Sequence, residues 1–396
     1  MSRTLMSKTM ALNGAEAVAE AMRQINPEVV ASYPITPQTI IVEKFSEFVH
    51  DGLVDTEFLA AESEHSAMSA CIGAAAAGGR AMTATASQGF ALMWEMLYIA
   101  AAMRLPIVMT VANRALSGPI NIHCDHSDSM GGRDSGWIQL YSENVQEVYD
   151  NMFQAVRIGE HKDVRLPVMV CMDGFTISHG VERVEVLDDS VKNFVGEYRI
   201  DHPLLDVENP VTYGPLDLQD YYFEHKRQQF EAMEQAIPVI EEVGRAYEEI
   251  SGRKYNLIET YNMDNADFAL MILGSTAGTV KSFLDKASNP QLGLIKIRTF
   301  RPFPTEEIVK HLKGCKAVAV MDRSASYGSA GGPVFPEVRS ALYDEPEKPL
   351  IVNYIYGLGG RDTTMDMVKS VYSDLESIAK TGEVGSVMRF LGVRDE

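Results

Sequence analysis

Ala31-Ser32-Tyr33-Pro34-Ile35-Thr36-Pro37-Gln38-Thr39 is the stretch on which the reading of the fold turns. It follows the apolar pair Val29-Val30 and precedes an amphipathic run, Ile40 to Val49. Two prolines and a threonine therefore lie on a loop after a strand and before a helix. In an α/β fold such loops stand at the carboxyl edge of the sheet, where ligands bind. Pro34 and Pro37 restrict the backbone around Thr36, so its hydroxyl is held in place. Taken alone, the stretch is also compatible with a proline-rich turn that carries no chemistry.

Outward from this loop, short apolar runs alternate with helical patterns. Strands are expected at 29–33, 57–61, 81–85, 107–112 and 168–172, and helices at 14–25, 39–49, 64–77, 91–103 and 145–158. That alternation reads as a doubly wound parallel sheet with helices on both faces. The helix from Glu64 is rich in alanine and glycine, which permits close backbone approach and places it centrally or at an interface. From 182 to 212 the pattern breaks down and an extended crossing segment is expected. Residues 219–251 read as a long helix that Pro238 should kink or break. A second α/β unit follows, with strands at 268–273, 294–297, 317–321 and 350–354, and helices at 277–287, 305–311, 333–342 and 364–378. The expected domains are 1–190, a connecting segment 191–258, and 259–396.

With 396 residues, 55 acidic side chains against 35 basic ones and a net charge of −20, nucleic acid and anionic membrane are poor partners. No apolar run reaches the ~18 residues of a membrane span. The first 13 residues lack the continuous apolar core of a secretory signal. The four cysteines, Cys71, Cys124, Cys171 and Cys315, form no Cys-x-x-Cys pair, so this chain is expected to ligate no iron–sulfur cluster. Reduced thiols in the cytoplasm are the expectation.

Ser63 is a plausible N-cap, which puts Glu64 in a first helical turn, where an acid complements the helix dipole whether or not it does chemistry. Arg114 follows the strand ending at Ala112 and so stands at the same carboxyl edge. A guanidinium there could grip a carboxylate bidentately, or simply be a surface arginine. Ala86-Ser87-Gln88-Gly89 opens a helix whose N-terminus and glycine could approach a ligand. The loop 121–128 concentrates His123, Cys124, Asp125, His126 and Asp128, but consecutive residues rarely converge on one ion, so no metal site is expected here. Gly274-Ser275-Thr276-Ala277-Gly278 lacks the Walker lysine and the full dinucleotide fingerprint, and reads as a tight turn.

The YPITP loop, Ser63-Glu64, Arg114-Ala115-Leu116, Ala86-Ser87-Gln88-Gly89 and Arg301-Pro302-Phe303-Pro304 together resemble the 2-oxoacid:ferredoxin oxidoreductase family at its α subunit. The resemblance spans nearly the whole chain. It implies a pyrimidine-type thiamine-diphosphate domain followed by a transketolase C-terminal-like α/β domain. It also implies oxidative decarboxylation of pyruvate with coenzyme A, giving acetyl-coenzyme A, carbon dioxide and reduced ferredoxin.

By the same resemblance, Glu64 would contact the cofactor's aminopyrimidine, with Tyr33, Pro34, Ser87 and Gln88 beside it. Thr36 and Arg114 would hold the substrate carboxylate, and Asp125, His126 and Asp128 would line the mouth. The family's Gly-Asp-Gly diphosphate and magnesium motif is absent from this chain. Magnesium and 4Fe-4S clusters are therefore expected on partner chains of β, γ and δ type, and the cofactor would be shared with the β chain. The alternatives are another 2-oxoacid (branched-chain, phenylglyoxylate or oxalate) or a non-catalytic scaffold subunit. The intact YPITP threonine and Arg-Ala-Leu segment argue against oxalate.

Overall fold

The computed structural model describes residues 4–394. Two open sheets share the chain. The first has seven strands, in the spatial order Thr299–Arg301, Ile138–Tyr141, Val168–Asp173, Val108–Asn113, Ala81–Thr85, Val29–Ser32 and Glu57–Ala60. All neighbours run parallel except Thr299–Arg301, which pairs antiparallel with Ile138–Tyr141. The second has six strands, in the order Met388–Leu391, Leu350–Tyr356, Ala317–Asp322, Phe268–Ile272, Leu292–Ile297 and Ile258–Tyr261. Only Ile258–Tyr261 runs antiparallel there. The central strands are buried along their whole length, which is why they read as continuous Val/Ile/Met/Ala runs rather than alternating ones.

Helix boundaries follow local chemistry. Gly14–Ile25 opens on a capping box, in which the Asn13 side chain accepts from Glu16 N–H while the Glu16 carboxylate accepts from Asn13 N–H. Its end is turned by Asn26 in the left-handed region. Val145–Gly159 is capped by Asn144 and is buried along almost its whole length, packed against Gly14–Ile25 and the long helix Tyr222–Ser251. The long helix is pinned by one carboxylate. Asp150, fully buried, accepts from Tyr247 Oη at 2.6 Å, Tyr255 Oη at 2.6 Å and both the Nε and Nη2 of Arg253.

Four expectations change. Residues 181–187 are not part of an irregular crossing segment. Val181–Leu187 is a strand paired antiparallel with Ser7–Asn13, a two-stranded ribbon beside the first sheet. Its alternating charges, Glu182, Arg183 and Glu185, masked the period. The helix expected at 91–103 is two, Ser87–Leu92 and Trp94–Ala102, joined at Met93. Tyr222–Ser251 runs unbroken through Pro238. The proline and Glu234, whose carbonyl lies four residues back, are both exposed, so water can satisfy the orphaned group. Strand Thr299–Arg301, from the segment after the connecting helix, completes the first sheet rather than the second.

That exchange, and a core cluster shared by Phe90, Trp137 and Tyr141 with Phe300, Val320 and Phe335, ties the two units together. Trp137 is fully buried, and its indole N–H donates to the Leu97 carbonyl at 2.9 Å. No described helix is long and apolar enough to cross a membrane.

Candidate active site

Five parallel strands of the first sheet deliver their following residues to one edge. Val29–Ser32 leads into the YPITP loop, Glu57–Ala60 into Glu64, Ala81–Thr85 into Ser87-Gln88-Gly89, Val108–Asn113 into Arg114, and Ile138–Tyr141 leads away beside them. Ser63 caps the helix Glu64–Ala76 by accepting from Ser66 N–H, which fixes Glu64 as its first residue. Glu64 is 5% exposed. Its carboxylate lies directly over Gly89: a Cβ there would stand 2.5 Å from Glu64 Oε1 and 2.6 Å from Thr85 Oγ1. The Thr85 hydroxyl is buried without a hydrogen-bond partner. A buried carboxylate, a free hydroxyl and the bare backbone of a glycine thus form a cradle.

The YPITP loop is held by Gln38, which is fully buried. Its Nε2 donates to Ser32 Oγ at 3.0 Å, and its Oε1 accepts from Ile35 N–H at 3.2 Å. Tyr33, Pro34 and Thr36 are left exposed on this braced loop. Arg114 is buried beside it. Its Nη1 donates to the carbonyl of Thr36 at 3.0 Å, and its Nε to the carbonyl of Asn121 at 3.0 Å. The arginine therefore meets Thr36 through the backbone rather than the hydroxyl. Among the described residues, Arg114 Nη2 has no protein partner. Burial pulls the Arg114 pKa down, with Asp128 acting in the other direction.

Asp128 organises these pieces. One carboxylate oxygen accepts from Ser87 N–H at 2.9 Å and Arg114 N–H at 3.0 Å. The other accepts from Asn113 Nδ2 at 2.8 Å and Ser129 N–H at 2.7 Å. Burial pushes its pKa above the ordinary carboxylate value, against the pull of these donors. Four donors aimed at two oxygens leave no acceptor for a proton, so the geometry is that of the ionised acid. Ser87, with φ of +45°, is fully buried, and its hydroxyl donates to the Ala115 carbonyl at 2.5 Å. Its side chain is committed to the protein. Gln88 reaches Ser117 Oγ.

The 121–128 loop closes against the second unit. Asp125 accepts from Ser127 and from Gly359 N–H, and Asn121 Nδ2 donates to the Gly359 carbonyl at 3.0 Å. His123, the half of the loop facing outward, lies against the Phe175 ring at 5.1 Å. His126 is buried and sets Nε2 2.7 Å from Asp173 Oδ1. The other oxygen of Asp173 accepts from Arg323 Nη1 at 2.8 Å and from Ser275 N–H at 3.0 Å. Burial pushes Asp173 up, but His126 and Arg323 outweigh it and hold the carboxyl well below its usual range.

The Gly274-Ser275 turn therefore grips a carboxylate of this same chain. Cys124, His126 and Asp173 offer ligand atoms within 4.8 Å of one another, but the Arg323 cation already occupies that carboxylate. Asp173, Ser275, Arg323, Thr85 and Gln38 escaped the reading of the sequence. Only the Gly274-Ser275 turn carried any local signal.

The chain matches the family model of the thiamine-diphosphate-binding domain of pyruvate flavodoxin/ferredoxin oxidoreductase over residues 20–245. It matches core domain II of pyruvate:ferredoxin oxidoreductase over residues 266–368. The chain belongs to this family. The pyruvate synthase subunit PorA of Thermotoga maritima is 56% identical over 390 residues, 98% of each chain. PorA of Methanocaldococcus jannaschii is 49% identical, over 94% of this chain and 96% of that one.

The ketoisovalerate oxidoreductase subunit VorA of Pyrococcus abyssi is 42% identical, over 94% of this chain and 95% of that one. Among solved structures, a 2-oxoglutarate:ferredoxin oxidoreductase from Magnetococcus marinus superimposes with a TM-score of 0.72 at 19% identity. It covers 93% of this chain, which in turn spans 65% of that one, and it shows the fold. The family's mixed α/β architecture, with parallel sheets and a thiamine-diphosphate-binding domain, is thus the one observed.

Proposed function

We propose that this chain is the α-type, pyrimidine-binding subunit of a pyruvate:ferredoxin oxidoreductase. In that reading it converts pyruvate and coenzyme A reversibly to acetyl-coenzyme A, carbon dioxide and reduced ferredoxin. The observation that carries it is the cradle of Glu64, Thr85 and Gly89 standing beside the half-free guanidinium of Arg114. The kinship with subunits named pyruvate synthase supports pyruvate over other 2-oxoacids.

The cradle suits one edge of a flat aminopyrimidine: a carboxylate to meet a ring nitrogen, a free hydroxyl, and backbone that a ring can approach. Thiamine diphosphate, when bound, supplies the nucleophilic carbon that attacks a 2-oxoacid's keto group. Glu64 would hold the pyrimidine ring nitrogen through a hydrogen bond and stabilise the tautomer that takes up a proton. Tyr33, Pro34 and Gln88 would border the ring, and Ser87 would contribute its backbone position. Arg114 Nη2, with the Thr36 hydroxyl on the braced loop, would hold and orient the substrate carboxylate. With no Gly-Asp-Gly motif here, diphosphate and Mg2+ would lie on a β-type chain. The 4Fe-4S clusters would lie on partner chains of β, γ or δ type, and the assembly would work in the cytoplasm.

The test is Arg114→Ala in the complex reconstituted with its partner chains. A charge-assisted hydrogen bond contributes about 1.5–3 kcal/mol. Its loss should lower kcat/KM for pyruvate at least ~10-fold, and Arg114→Lys should recover only part. Unchanged pyruvate kinetics, or faster turnover with a branched 2-oxoacid in the parent complex, would overturn the assignment.

A further inference from the structure

Residues 201–224, which lead from the first domain into the first turn of the long helix, carry an unusual surface. Leu205 is 74% exposed, Val207 86%, Leu216 90% and Phe223 78%, with Leu218 and Tyr221 also open to solvent. Large apolar side chains exposed in such number on one segment mark an interaction site. These side chains do not fold back onto the body, although a hollow of about 490 Å3 lies between this arm and the end of the helix Trp94–Ala102. The arm is nonetheless tethered. Leu204 N–H donates to the Ala76 carbonyl at 2.8 Å, and Ile200 and Pro203 lie over Gly78.

Two observations say what covers it. The first is charge. The 24 residues contain six carboxylates (Asp201, Asp206, Glu208, Asp217, Asp220 and Glu224) and no lysine or arginine. The complementary face is apolar with a lysine and arginine rim. Pairing of two arms about a two-fold axis would set carboxylate against carboxylate, which disfavours a second copy of this chain. The second is position. The arm is fastened to the far end of the helix that begins at Glu64, roughly 18 Å away at 1.5 Å per residue. Between them that helix shows solvent a row of small residues, Ser66, Ala70, Gly73 and Ala77, at the 4-3-4 spacing of one face. A chain that closes the cofactor site over Glu64 and continues along this low ridge arrives at the arm.

We infer that the arm 201–224 is a docking element for the partner chain that completes the cofactor site, through apolar anchors inside a basic-rimmed surface. This rests on the split-site reading given above. It extends that reading to a surface remote from the chemistry. The experiment uses the full chain carrying Leu205→Ser, Val207→Ser, Leu216→Ser and Phe223→Ser, combined with its partner chains and followed by native mass spectrometry and sedimentation.

The thermal midpoint of the isolated variant should match the parent, because these four side chains are 74–90% exposed. The cofactor-sharing partner should dissociate at least ten-fold more readily, while kcat at saturating partner stays unchanged. A second variant, Asp206→Lys with Asp220→Lys and Glu224→Lys, should also weaken assembly, and added salt should then strengthen rather than weaken it. Undiminished association of that partner with both variants overturns the inference. So does loss of self-association, or of some other chain, with that partner retained. Failure of the split-site reading is distinguishable, because the isolated parent chain would then bind thiamine diphosphate tightly by calorimetry whatever the two variants do to assembly.

Discussion

Adding one methyl group at Gly89 is the sharpest probe of the cradle. In Gly89→Ala the new Cβ would lie 2.5 Å from Glu64 Oε1, 2.8 Å from its Cδ and 2.6 Å from Thr85 Oγ1. Ordinary van der Waals contact begins at 3.4 Å, so something must move by about 0.9 Å. The Thr85 hydroxyl has no hydrogen-bond partner and can turn aside without breaking one. The Gly89 backbone is fixed by its N–H donating to the Ala86 carbonyl at 2.9 Å. Glu64 is therefore the group displaced. A misplacement of ~1 Å in a positioned group can lower a rate by about 10²-fold.

Alanine is otherwise favourable within a helix by roughly 0.5–1 kcal/mol over glycine, so fold stability should change little. The assay is hydrogen–deuterium exchange at the thiazolium carbon in the reconstituted complex, beside turnover and the thermal midpoint of the isolated chain. Exchange should slow by about two orders of magnitude with the midpoint nearly constant, and Glu64→Gln should show the same phenotype. Parent-like exchange in Gly89→Ala would mean that Glu64 does not act from this position.

Asp128→Asn replaces an acceptor of four hydrogen bonds with a group that must turn a donor toward other donors. It should raise KM for pyruvate and weaken cofactor retention together, at about 1–3 kcal/mol per donor left unsatisfied. Kinetics and equilibrium dialysis read the two effects, and a change in one without the other refutes the shared anchor. Asp322 is buried with its carboxylate accepting from Val334 N–H and Asn353 Nδ2, and burial pushes its pKa from 3.8 up to about 7. A carboxyl raised on folding stabilises fully below its unfolded pKa, and that contribution is lost as pH rises through about 7. The loss is on the order of 4 kcal/mol at about 1.4 kcal/mol per pH unit. Carbon NMR of labelled aspartate should find one carboxyl titrating near neutrality in the parent and none in Asp322→Ala. An Asp322 signal already ionised at pH 5 would refute this.

What the chain made legible was whatever is local. Val29–Ser32, Ala81–Thr85 and Phe268–Ile272 are apolar runs bounded by helix starts, and the two-unit α/β plan follows from their rhythm. Glu64 and Arg114 stand after strand ends, but position alone left each with a bland reading, and it was the family resemblance that nominated them. The short strands Ile138–Tyr141, Thr299–Arg301 and Met388–Leu391 could not be read. Three or four residues carry too little periodicity, and their pairing depends on partners elsewhere in the chain. The contacts of Asp173 lay beyond reach for the same reason. His126 stands 47 residues away, Ser275 102 and Arg323 150, and no spacing rule joins them. Asp128 could be assigned to the loop, but not to its role as anchor, because its donors come from Ser87, Asn113 and Arg114 on two different strand ends.

The second unit's contribution to a site built wholly on the first follows from those distant contacts. Glu64, Thr85 and Gly89 need only the first sheet. The loop after Arg114 is different. The Asn121 carbonyl takes one N–H of that arginine, and Asn121 is itself bonded to Gly359 of the second unit. Gly360 N–H donates to the Cys124 carbonyl at 2.7 Å, and His126 N–H donates to the Arg323 carbonyl at 2.8 Å. Close approach here requires glycine. At Gly360, φ is +81° and a Cβ would fall 2.4 Å from that of His123. Asp173 then locks the two units through the Arg323 guanidinium in a buried site, where removing one partner is strongly destabilising, by about 3–5 kcal/mol. The Glu64 cradle is thus set by one sheet alone, whereas the orientation of Arg114 depends on both. A perturbation of the Asp173 latch should reach the substrate carboxylate before it reaches the cofactor.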